Sequence, residues 1–166
     1  SGFTIKNGIA TRGGGMDVNG SYVHIRDIVL FENISSQQGG GINITSGGPI
    51  LTNLLIVDNT TTNGDGIGAG IATYGSTALF DKVTVVDNNG QGLYSEYNDD
   101  INVINSNISG NWVQVVLGGD VSNISISYSN IENGLDSINT SENLVVTWGS
   151  GNINVDPMFV DTSNGN

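Results

Sequence analysis

Apolar and polar residues alternate over short stretches of three to six residues along the whole chain, as in Met16-Asp17-Val18-Asn19 and Ile42-Asn43-Ile44-Thr45. These stretches are rich in Val, Ile and Thr and bounded by Gly, Asn, Asp and Ser, a pattern that predicts strands with one face turned inward. Nowhere does a 3.6-residue apolar period persist for three turns. Helices are not expected.

The strands recur in a fixed order. A hydrophobic strand ends in Asn, a glycine-rich corner follows, and another strand begins: Leu30-Phe31-Glu32-Asn33 leads to Gly39-Gly40-Gly41-Ile42, and Ile56-Val57-Asp58-Asn59 to Gly68-Ala69-Gly70-Ile71. In the same way Val85-Val86-Asp87-Asn88 leads to Gly90-Gln91-Gly92-Leu93. The asparagines at 7, 33, 59, 88, 111 and 133 step by 26, 26, 29, 23 and 22 residues; the apolar residues at 16, 42, 71, 93, 115 and 138 step by 26, 29, 22, 22 and 23. Two markers with nearly the same uneven spacing place the extra residues at corners and leave the strands in register, so one repeat is one coil of a solenoid. Leucine-rich repeats share the period but need several leucines per repeat and a return arm, and both are missing. The predicted fold class is all-β: a single-stranded right-handed parallel β-helix of about six to seven coils, one domain over residues 1–166, roughly 30 Å long.

Stacked coils pair like with like, so an Asn at a corner can bond its own bend and lay its amide on the Asn of the next coil. An asparagine ladder with Gly-rich corners is expected, its last position slipping by one residue where Ile131-Glu132-Asn133 meets Ile108-Ser109-Gly110-Asn111. Sharp corners need positive φ, while Pro would remove a ladder donor, which accounts for 25 Gly against 2 Pro.

Three motifs carry a family resemblance: Ser1-Gly2-Phe3-Thr4-Ile5-Lys6-Asn7-Gly8, the Gly-Gly-Gly-Ile corners, and Asn152-Ile153-Asn154-Val155-Asp156-Pro157-Met158-Phe159-Val160-Asp161. With them the chain resembles the right-handed parallel β-helix repeat proteins of the pectate-lyase-like superfamily over nearly its whole length. The closing segment is similar to the last coil of large secreted bacterial surface proteins, which implies an extracellular or cell-surface, bacterial or environmental origin. Ser1 starts inside a strand with Phe3 and Ile5 pointing inward, so the chain reads as a segment of a longer protein. Its open coil edges make flanking domains or end-to-end self-association the expected partners. A small complete protein with irregular caps, or a stacked oligomer, is the alternative.

Charge narrows the ligands. Sixteen acidic residues against Lys6, Arg12, Arg26 and Lys82 give a net charge of −12, which argues against nucleic acid and anionic membranes. Without Cys there is no disulfide or thiol chemistry, and no apolar run is long enough for membrane insertion. Cations and neutral polysaccharides remain.

Function in such a fold sits on outward residues of adjacent coils. Taking Met16, Ile42, Ile71, Leu93, Val115 and Ile138 as inward, one outward row reads Asp17, Asn43, Ala72, Tyr94, Val116 and Asn139. The second row reads Asn19, Thr45, Tyr74, Glu96, Gly118 and Ser141. Tyr74, Tyr94 and Glu96 thereby cluster on adjacent coils, with Asn98, Asp99 and Asp100 at the following corner. Aromatic faces beside a carboxylate and amides suit a glycan, whose C–H face stacks and whose hydroxyls pair; an aromatic ladder that only stabilises the sheet is the competing reading. Glu32, Asp58 and Asp87, each just before a ladder Asn, form an acidic stack that is a candidate Ca²⁺ site, with a solvated edge that discourages association as its alternative.

Catalytic residues are not assigned. A lyase of the superfamily would need a Ca²⁺-binding carboxylate cluster beside a basic residue, and Asp99-Asp100 has no basic neighbour. An inverting glycosidase would need paired carboxylates on neighbouring coils. Asp17 and Glu96 are three coils apart, around 14 Å. His24 and Arg26 alternate with Val23, Ile25 and Ile28 and should face solvent on another sheet. Asn-X-Ser/Thr sequons such as those at Asn33, Asn43, Asn59, Asn107, Asn123 and Asn139 follow from Asn, Ser and Thr abundance, and several are ladder candidates that could carry no glycan. The expected function is a non-catalytic extracellular module, a structural rod or glycan-contacting segment of a larger protein; the alternative is a polysaccharide-active lyase or hydrolase with an incomplete site.

Overall fold

The computed structural model describes residues 2–119, 122–140 and 144–159. The first turn comprises β1 (Phe3–Lys6), β2 (Ile9–Arg12) and β3 (Met16–Ser21), and the second β4 (His24–Phe31), β5 (Ile34–Gln38) and β6 (Ile42–Gly47). β7 (Ile50–Val57), β8 (Thr60–Thr61) and β9 (Ile71–Tyr74) make the third, β10 (Leu79–Val86) and β11 (Gln91–Glu96) the fourth. β12 (Asp100–Ile104), β13 (Asn107–Ser109) and β14 (Val113–Leu117) follow, then β15 (Asn123–Ser127), β16 (Asn130–Ile131), a 3₁₀ turn Gly134–Ser137 and β17 (Ile138–Thr140). β18 (Val145–Trp148) adds the last strand. The result is a parallel β-solenoid of about six turns.

Equivalent strands stack into three parallel sheets. The first runs β1-β4-β7-β10-β12-β15-β18, with β13 and β16 continuing beside β10; the second is β2-β5-β8; the third is β3-β6-β9-β11-β14-β17. In the third sheet Met16, Ile42, Ile71, Leu93, Val115 and Ile138 face one another in register, as the repeat predicts. They belong to one core with Leu30, Ile56 and Val85 of the first sheet. Because inward residues of every turn meet their own kind one strand spacing away, burial of branched side chains stabilises the stack while keeping the register.

A corner between the first and second sheets holds a row of amides. The Asn33 Nδ2 donates to Asn59 Oδ1, that of Asn59 to Asn88 Oδ1 and that of Asn88 to Asn111 Oδ1, each at 3.0 Å. Each of these oxygens also accepts the backbone N–H of the preceding Asn at 3.0 Å. Asn111 Nδ2 then donates to Gln114 Oε1 at 3.0 Å, and Gln114 Nε2 to Glu132 Oε2 at 3.0 Å. No donor of the row is left idle, which is what burial of an amide demands.

Asn7 and Asn133 are not in this row. Lys6 pairs with Phe31 and Ile108 with Ile131, so Gly8 stands opposite Asn33 and Gly134 follows Asn111, while Asn7 and Asn133 fall one residue earlier. That earlier position is left-handed in every turn: φ is 58° at Asn7, 52° at Glu32, 55° at Asp58, 52° at Asp87, 67° at Gly110 and 64° at Asn133. Short polar side chains tolerate that conformation. Asn suits both columns, and the sequence pattern merged them at the two ends of the solenoid.

The C-terminal segment leaves the stack. Ile153 still bridges to Asn130, after which Phe159 comes to line a groove of about 730 Å³ on the outer face of the first sheet with Val57, Val86, Leu55 and Val29. Val57 and Val86 point outward yet are only 1% and 4% exposed.

Candidate functional site

The outer face of the third sheet brings the three expected residues together. Register places Glu96 beside Tyr74 and Tyr94 beside Ala72, on adjacent turns. The Tyr74 and Tyr94 rings lie 5.9 Å apart between centroids at 48°, a tilted contact favoured by their quadrupoles. The Glu96 carboxylate lies close enough to the Tyr94 hydroxyl to help hold its proton. Gly118 lies against the Tyr94 hydroxyl, and a Cβ there would sit 2.8 Å from that oxygen and push the phenol tip aside. Burial, reinforced by the Glu96 carboxylate, raises both phenol pKa values well above their usual range, so these hydroxyls are hydrogen-bonding groups rather than nucleophiles.

Two further residues complete the site. Tyr97, 55% exposed, places its ring 6.0 Å from that of Tyr74 at 30°, presenting the widest aromatic surface of the group to solvent. Tyr97 and Asn98 both have φ of 63°, a conformation costly for a bulky residue and kept only where the surroundings enforce it. Asp99 is what enforces it. Its carboxylate accepts the Thr73 hydroxyl at 2.6 Å, the Ser95 hydroxyl at 2.7 Å, the Glu96 N–H at 2.9 Å and the Ser76 N–H. Only 1% exposed, Asp99 has its carboxyl pushed up by burial, against the pull of these four donors. It is a structural clamp, out of a ligand's reach, where the sequence had grouped it with exposed corner residues. Among sequence signals, only the break in alternation at 97–99 pointed to either residue.

The outward rows are less open than their alternation predicts. Asn43 and Ala72 are 1% and 0% exposed, because the corners at Gly39 and Gly68 fold over them; a Cβ at either glycine would lie 2.8 Å from the Asn43 or Ala72 Cβ. Asn43 donates to Asp17 Oδ1 at 2.7 Å and accepts Gln38 Nε2 at 3.1 Å. Asp17 stands three turns from Glu96 in the register. Ser141 lies outside the described residues. His24 and Arg26 are exposed, and a His24 ring nitrogen pairs with the Thr52 hydroxyl at 3.0 Å.

The acidic stack of Glu32, Asp58 and Asp87 runs along one corner of successive turns. Among the described residues no three His, Asp or Glu side chains come together in a way that could hold a metal ion. Glu32, Asp58 and Asp87 occupy the left-handed corner column, where they meet the backbone's need for a polar residue of positive φ and repel one another. Burial first, then the charges of Asp87 and Glu32, push the Asp58 carboxyl up. Among the described residues no helix is long and apolar enough to cross a membrane. Set against protein-family models, curated proteins and solved structures, the chain matches none of them.

Proposed function

We propose that the protein is a non-catalytic extracellular or cell-surface β-helix module, a right-handed member of the pectate-lyase-like superfamily that contacts neutral glycan chains through the Tyr74, Tyr94, Tyr97 and Glu96 face. The observation that carries the reading is the three-ring array over adjacent turns, one ring widely exposed and a carboxylate at its edge. Sugar C–H faces stack on such rings, and Glu96 accepts hydroxyl protons. The net charge of −12 repels uronate chains and leaves neutral polysaccharides as the class that fits. Affinity electrophoresis in gels cast with neutral plant and algal polysaccharides tests the reading. Retardation that Tyr97→Ala abolishes is expected; unretarded migration on every polymer overturns it.

A further inference from the structure

The ring array of the third sheet is built around a carboxylate. Glu96 stands in register beside Tyr74, and its charge acts on the Tyr94 hydroxyl as well. Tyr97 follows it in the chain, and Asp100, one residue past the buried Asp99, is exposed at the start of β12. Residues 83–166 contain no Lys, Arg or His. Among the described residues Arg12 is the cation whose charge reaches Tyr74, from two turns earlier, where its Nε donates to Gln37 Oε1 at 3.3 Å. Burial first, then the Glu96 charge, push the Tyr74 phenol up, and the Arg12 charge opposes them less strongly. The rings therefore stay neutral while the face they form is locally anionic.

A neutral sugar chain uses the rings and leaves that charge unanswered. Aromatic faces attract a cation lying within about 6 Å of the ring centre, and a carboxylate beside them adds a charge-assisted hydrogen bond. A pyranose stacked on Tyr74 or on the exposed Tyr97 turns its substituents sideways, and Glu96 stands at that edge.

We infer that this face, on the glycan reading given above, selects amino-sugar chains whose amines are free, an ammonium group of the stacked sugar pairing with Glu96 and lying against the tyrosine rings. N-acetylation would remove the charge that Glu96 answers. The net charge of −12 draws a polycationic chain toward the surface before contact, as it turns a uronate chain away.

Calorimetric titration with three oligosaccharides of equal length tests this: one β-linked glucose backbone bearing a hydroxyl, an acetamido or an ammonium group at the same ring position. The ammonium form is expected to bind about tenfold or more tightly than the other two at low salt, an advantage that shrinks as salt is added. Glu96→Gln, its folding verified by an unchanged melt, should bring the three affinities together. Asp58→Asn removes the same unit of charge from the corner between the first and second sheets and should leave the preference as it is. Equal affinities for the three forms in the wild-type chain, all lost in Tyr97→Ala, would overturn the amine selectivity and leave the glycan reading standing. No binding of any form would overturn both. A preference that survives in Glu96→Gln, or that falls as far in Asp58→Asn, would be the pull of the net charge alone and would equally overturn the inference.

Discussion

Two of the solenoid's three corners, those on either side of the first sheet, solve one problem differently. Between the first and second sheets every turn uses a left-handed residue followed by a buried or, at Gly8, half-buried one, and four asparagines satisfy each other along the stack. At the return to the first sheet each turn is improvised: Gly47 and Pro49 in one, Gly75 and Ser76 in another, and Tyr97 and Asn98 pinned by Asp99 in a third. A repeated corner stabilises cooperatively and carries no information about function. An improvised corner is where a particular side chain can be presented.

Breaking the repeated corner should cost most. Asn59→Ala removes the acceptor of Asn33 and the donor to Leu30 O, Val57 O and Asn88. With several buried groups left unpaired, the loss is about 3 kcal/mol or more, read as a lowered denaturation midpoint. An unchanged midpoint would make this amide dispensable. Asp99→Ala strands four donors but also removes a buried charge, so its cost is smaller, about 1–3 kcal/mol. Hydrogen exchange should localise the damage to the Ser76 and Glu96 amides while the asparagine row stays protected.

Acidity sharpens the contrast further. Asp58 and Asp99 have carboxyl pKa values raised above the ordinary 3.8. The folded chain therefore binds these protons more tightly than the unfolded one, and the stability they contribute is complete below the ordinary value and lost as pH rises through the raised one. Thermal melts should show a higher midpoint in mildly acidic than in alkaline buffer, and Asp99→Asn should flatten that slope. The smallest effect belongs to Asp58→Asn, which keeps a residue tolerant of φ 55° and removes a like charge between Glu32 and Asp87. A gain of about 0.5 kcal/mol or less is expected at low salt, vanishing at high salt.

Legibility followed the same division. The inward column from Met16 to Ile138 was readable because each member must be apolar in every turn. Tyr74, Tyr94 and Glu96 followed from it by counting residues outward. Asn7 and Asn133 misled because one residue type suits two adjacent columns. Asp99 and Tyr97 were hidden, since burial of a carboxylate depends on donors supplied by Thr73, Ser76 and Ser95 from separate strands and a turn. Val57 and Val86 are covered beside a segment some 70 to 100 residues away in the chain, which local alternation does not encode.

The amide row has a direction. Each Nδ2 donates toward the later turn, so the side-chain dipoles of Asn33, Asn59, Asn88 and Asn111 line up parallel to the axis instead of cancelling. Aligned amides behave like those of a helix: the acceptor end is partly negative and the donor end partly positive. The acceptor end meets the Gly8 N–H at 2.9 Å; the donor end passes through Gln114 to the full negative charge of Glu132. A column without α-helical backbone thus carries a macrodipole terminated by a carboxylate at its positive pole, and the solenoid is electrically polar in its core.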